Sequence, residues 1–125
     1  MLWWIIAVLL GVILYIVISR LLQKRYLTVL TQEEFKQGYR KAQLIDVREP
    51  NEFKNGHILG ARNIPQSQLR MRLGEIRKDK PVYLYCDGTV RSSRAAQILK
   101  RKGYRDLYLL KGGFKKWTGK IKVDR

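Results

Sequence analysis

Tyr83-Leu84-Tyr85-Cys86-Asp87-Gly88-Thr89-Val90-Arg91-Ser92-Ser93 is the stretch whose reading decides the fold. Residues 81–85 are an apolar run that predicts a buried strand. Residues 91–102 predict a helix. Cys86, the only cysteine, stands where the strand stops, and four residues separate it from Arg91. A strand–loop–helix turn aims backbone N–H groups and the positive end of the helix dipole into its loop. Those surroundings favour a thiolate, and Arg91 adds a fixed positive charge. The bland alternative is a small buried apolar residue. Gly88, Arg91 and the helix start weigh against it, so the expectation is an activated thiolate in an anion-binding cradle.

Outward from this stretch, strands and helices alternate. Residues 27–30 predict an edge strand. Thr31 and Glu34 have the spacing of a capping box, opening a short helix that stops near Gly38. Residues 42–47 read as a buried strand, 49–55 as a short helix ended by Gly56, and 61–64 as a strand stopped by Pro65. Residues 66–77 place Leu69, Leu73 and Ile76 at helical spacing. Ala95, Ala96, Ile98 and Leu99 give the helix after Cys86 its apolar face. Residues 107–110 are a last strand, and Gly112-Gly113 lead into a turn carrying Phe114 and Trp117. Such alternation predicts a parallel α/β sheet wrapped on both faces. Ligands of such sheets bind at the carboxyl ends of strands, where Cys86 lies.

Residues 2–19 carry no charge and are apolar but for Ser19. At 1.5 Å per residue they span roughly 27 Å, close to the hydrocarbon thickness of a bilayer. Trp3, Trp4 and Tyr26 stand where interfacial aromatics do. A cleaved signal peptide would need a basic leader and a small-residue cleavage site, and neither is present. The expectation is therefore a transmembrane helix at 1–19, a juxtamembrane tether at 20–28 and a single domain at 29–125. Arg20, Lys24 and Arg25 all follow the apolar run, which places that side in the cytoplasm. A lone thiol suits that reducing compartment. The formal charge of +16 implies attraction to polyanions. The basic runs Arg70-Met71-Arg72, Lys100-Arg101-Lys102 and Lys115-Lys116 lack a nucleic-acid motif. Anionic lipid and a plain solvated surface are the two readings left for them.

The segment Leu44-Ile45-Asp46-Val47-Arg48-Glu49-Pro50-Asn51-Glu52-Phe53-Lys54-Asn55-Gly56-His57-Ile58-Leu59-Gly60-Ala61-Arg62-Asn63-Ile64-Pro65 resembles the rhodanese family, whose members show a D-x-R-E-x-x-E-[FY]-x-x-G-H-I-x-G-A-x-N-I-P pattern. Cys86 to Ser92 looks like that family's C-x-x-x-x-R-S loop, and Gly112-Gly113-Phe114 with Trp117 like its closing G-G-x-x-x-W element. Three matches in the right order, over roughly residues 28–120, make the resemblance specific. It implies a sulfurtransferase that carries a sulfane sulfur as a persulfide on Cys86. The sulfur would pass to cyanide, a thiol or a protein, without a cofactor. Asp87, Gly88, Thr89, Val90, Arg91 and Ser92 would bind the transferred sulfur or donor, with Arg91 holding the anion. Asp46, Arg48 and His57 would be structural support. The donor would be a small sulfur compound or a persulfide-bearing protein. The rival is a non-catalytic rhodanese-like binding module at the membrane.

Two departures stand out. Family loops usually place glycine third after the cysteine, where this chain has Thr89, with Gly88 before it. Asp87 beside the thiol would repel anions if it pointed inward, so it is expected to face solvent. Related phosphatases and arsenate reductases place five residues between cysteine and arginine; the four found here suit a single sulfur atom. His57, the only histidine, is expected to pack rather than act as a base, and one His with one Cys makes no metal site.

Overall fold

The computed structural model describes residues 1–23 and 27–123. Lys24, Arg25 and Tyr26, which carry part of the expected basic and aromatic flank, lie outside the described residues. Helix α1 spans Trp3–Gln23, so helical backbone runs past residue 19. Strand β1 begins at Leu27. The window Trp3–Leu21 of α1 is long and apolar enough to cross a membrane, and none of it is buried in the protein.

Five parallel strands form the main sheet: β1 (Leu27–Leu30), β2 (Gln43–Asp46), β4 (Arg62–Asn63), β5 (Val82–Tyr85) and β6 (Leu107–Leu110). Their spatial order is β1-β6-β5-β2-β4, so β5 lies at the centre and β1 at an edge. The reason lies in the period-two alternation of buried strands. Val82, Leu84 and Cys86 point to one face, with Ala95, Ala96 and Leu99 of α4 (Val90–Arg101). Tyr83 and Tyr85 point to the other, with Phe35 of α2 (Gln32–Gly38), Tyr39 and Leu110. Both faces are covered by helices, as the alternating pattern requires. The first face is mostly aliphatic, whereas the second is divided evenly between aliphatic and aromatic residues. Each fully buried leucine there stabilises the fold by about 1.5–3 kcal/mol.

Local signals hold where neighbours supply the bonds. The Glu34 amide donates to Thr31 Oγ1 and the Thr31 amide to Glu34 Oε1, closing the capping box. Helix α3 (Pro50–Lys54) is entered from Glu49, whose amide donates to Glu52 Oε1. Residues 66–77 depart from expectation. Instead of one helix they form two 3₁₀ turns, Gln66–Gln68 and Leu73–Glu75. Leu69 and Ile76 are still buried, so the apolar spacing was real. The carbonyls are drawn elsewhere: Tyr104 Oη donates to Leu73 O and Ile76 O, and Arg62 Nη1 to Glu75 O. Tertiary bonds thus replace those an α-helix would have made, and Gly74 lowers the cost of abandoning it.

A two-stranded antiparallel sheet, β3 (His57–Ile58) with β7 (Ile121–Lys122), has no counterpart in the sequence reading. Two residues per strand carry no readable period. The basic runs are also less scattered than their chain positions suggest, since Arg70, Arg101, Lys102 and Ile98 line one groove.

Candidate active site

After β2 the chain crosses to β4 on one side, and after β5 to β6 on the other. The loops leaving the carboxyl ends of β2 and β5 therefore diverge above adjacent strands, which opens a crevice. Asp46 and Tyr85 are register partners there. Asp46, Arg48, Cys86 and Asp87 thus gather at one end of the sheet from two distant parts of the chain.

Cys86 is free and 2% exposed. The Ser92 amide, in the first turn of α4, points at Cys86 Sγ from 3.4 Å. Ser92 Oγ lies 3.4 Å from the sulfur and donates to Thr89 O at 3.1 Å. The sulfur therefore meets one backbone and one side-chain group of the same buried residue, at the positive end of a twelve-residue helix. Thr89 is the residue before α4, with φ −130°. No non-glycine among the described residues has positive φ. Threonine at the loop's third position therefore imposes no left-handed backbone. A side chain at Gly88 would meet nothing within 4 Å.

The close approach is made at Gly113 instead. Its φ is +67°, and a Cβ there would sit 2.3 Å from Asp87 O and 2.4 Å from Gly88 O. The Gly-Gly turn lies directly on the loop. Phe114 N–H donates to Cys86 O (2.8 Å) and Lys115 N–H to Asp87 O (3.2 Å). Only glycine combines that φ with that proximity.

Arg48 is 3% exposed and lies between carboxylates. Its backbone amide and Nε donate to Asp46 Oδ1 (2.9 and 3.0 Å), Nη2 to Asp46 Oδ2 (2.7 Å) and Nη2 also to Gly56 O (2.6 Å). Its guanidinium lies over the Phe114 ring, 4.3 Å from the centroid. Burial opposes its charge, but the hydrogen bonds and negative charge of Asp46 outweigh it and leave the pKa raised. His57 is buried, stacks on Phe53 at 3.6 Å and places Nδ1 2.8 Å from Phe53 O. That contact selects the Nδ1–H tautomer.

Two side chains at the mouth of the site are held in ion pairs. Asp87, expected to face solvent, is about a third exposed and is held by two arginines. Its Oδ1 accepts from Arg48 Nη1 (3.2 Å) and its Oδ2 from Arg91 Nη2 (3.4 Å). A carboxylate between two guanidiniums gains more from them than from water. Arg91 is paired as well. Its Nη1 and Nη2 donate to Glu52 Oε1 and Oε2 at 2.6 and 3.0 Å. The Arg91 hydrogen bond holds the Glu52 carboxyl down to about 2. The same bond raises Arg91. Glu52 was missed by sequence reasoning, although it sits inside the quoted family pattern. Its position three residues after Glu49 reads as helix chemistry, and nothing local shows which arginine it meets.

The fold and the site together define a rhodanese-like domain. Residues 31–120 match the rhodanese-like domain model, and the chain belongs to that family. It is 65% identical over 113 residues to the uncharacterised Bacillus subtilis protein YqhL, covering 90% of each chain. It is 38% identical over 78 residues to the thiosulfate sulfurtransferase GlpE of Shewanella oneidensis, covering 62% of this chain and 77% of that one. Among solved structures, a rhodanese-related protein of Thermoplasma volcanium superposes with a TM-score of 0.72 at 25% identity, over 78% of this chain and 99% of that one. A relative named for sulfur transfer thus shares its sequence, and a rhodanese-related protein shares its fold.

Proposed function

We propose that this chain is a membrane-anchored sulfurtransferase with Cys86 as nucleophile. The carrying observation is the place of Cys86 Sγ, at the carboxyl end of the central strand and 3.4 Å from the Ser92 amide. In the first step the thiolate attacks the outer sulfur of a donor. A Sγ–S bond forms, and the donor's S–S bond breaks with its electron pair leaving on sulfite or a thiolate. In the second step cyanide, a thiol or a protein thiolate takes the outer sulfur, and the pair returns to Cys86. No oxidant enters either step.

The loop of residues 87–92 cradles the outer sulfur, and Arg91 turns to a donor anion once released from Glu52. Asp46 and Arg48 hold the floor of the site, and His57 the turn after α3. Helix α1 is the anchor. The basic residues after it hold the domain on the cytoplasmic side, within reach of anionic lipid.

The test uses the full chain in detergent micelles with thiosulfate and cyanide. Thiocyanate should form, and intact-mass measurement should show one added sulfur atom on the protein. Cys86→Ser should lose both. If no donor ever adds sulfur to Cys86, the chain is a binding module and not an enzyme.

A further inference from the structure

A line of alternating, paired charges lies at the site: Asp46, Arg48, Asp87, Arg91, Glu52. Three carboxylates meet two guanidiniums, so the cluster carries one net negative charge inside a chain of +16. Both terminal nitrogens of Arg91 already rest on carboxylate oxygens. Glu52 stays ionised far below neutral pH, because Arg91 holds its carboxyl down to about 2. A donor that needs a free guanidinium must first displace that bidentate pair. A donor with a single charge need not.

We propose that Glu52 and Asp87 set donor choice at Cys86. By occupying Arg91 and leaving the charged line at the site with a net negative charge, they favour singly charged alkyl persulfides over the dianion thiosulfate. This rests on the sulfurtransferase reading above. The bond changes are the same for both donors: Sγ–S forms, the donor S–S breaks, and the pair leaves on a thiolate or on sulfite. Only the charge of donor and leaving group differs. Sulfite departs with two negative charges into a cluster already negative, whereas an alkyl thiolate departs with one. Glu52 acts through Arg91, so it is a positioning residue. A purely structural role, tying α3 to the active loop, would affect every donor alike.

The experiment compares thiosulfate with methanethiosulfonate. The two present the same kind of sulfane sulfur; on transfer to Sγ the electron pair leaves on sulfite from the first and on methanesulfinate from the second, so donor and leaving group each differ by one charge. With the full chain in micelles at fixed low ionic strength, kcat/KM should favour methanethiosulfonate by at least about tenfold. Glu52→Gln and Asp87→Asn should each shift that ratio toward thiosulfate by about tenfold, through the KM for thiosulfate. Added salt should move the wild-type ratio the same way without any substitution. An unchanged ratio in variants and salt, or equal changes for both donors, overturns the proposal and leaves Glu52 a tether. Wild type that takes sulfur from neither donor, by intact mass, overturns instead the sulfurtransferase reading itself.

Discussion

Cys86 and Arg48 leave neighbouring strands at the same end of the sheet and are nearly equally buried, at 2% and 3% exposed. Their surroundings could hardly differ more. Arg48 is held by Asp46, Asp87, the Gly56 carbonyl and the Phe114 ring. Cys86 Sγ has two 3.4 Å contacts, both from Ser92. A buried guanidinium persists only when its donors are met, so the fold over-determines it. The proposed nucleophile needs its electron pair available, and its sulfur has few polar partners. The well-held arginine lets the bare sulfur sit in a loop without the loop wandering.

The comparison breaks most visibly at Arg48. Replacing it by Met strands Asp46, which is fully buried, without its cation. The loss should be about 3–5 kcal/mol. Chemical unfolding of the full chain in micelles measures it, and a loss below about 1 kcal/mol would show that Asp46 finds another partner.

Gly113→Ala tests the contact between the closing turn and the loop. The left-handed backbone alone costs about 1–2 kcal/mol, and the collision with Asp87 O adds to it. Unfolding should show a total of about 2–3 kcal/mol, with sulfur loading of Cys86 slowed in parallel. Normal loading in a destabilised variant would separate the turn from the chemistry.

Ser92→Ala sharpens the sulfur side. It keeps the amide and removes the hydroxyl, so kcat/KM should fall about tenfold, an effect near 1.4 kcal/mol. Equal activity would assign the sulfur's environment to backbone alone.

The smallest effect is at Glu52. Its folded pKa lies near 2 against an ordinary 4.5, so its contribution is complete above 4.5 and is lost as pH falls toward 2. Glu52→Gln should flatten the acid limb of the unfolding profile in that window. The side chain is a third exposed, so the difference is small. An unchanged acid limb would mean the pair adds nothing to stability.

Legibility followed the range of the forces involved. The strand of residues 81–85 and its cysteine were readable because the apolar run and the loop-to-helix switch lie within a dozen residues. The capping box at Thr31 was readable because both partners are three residues apart. Residues 66–77 misled because Leu69, Leu73 and Ile76 satisfy helical spacing while Tyr104, about thirty residues away, claims the carbonyls. Asp87 was weighed only against the thiol and an incoming anion, and its partner Arg48 arrives from another strand.

Sequence by itself determined the parallel α/β order, the position of the lone thiol at a strand end and the apolar helix before the domain. Those follow from periodicity and turn chemistry, which are local. Only the tertiary structure decided that Glu52 takes Arg91 from 39 positions away, that Asp87 sits between two arginines and that Gly113 presses on the loop. A guanidinium's choice among ten acidic residues depends on distances that exist only once the chain has closed.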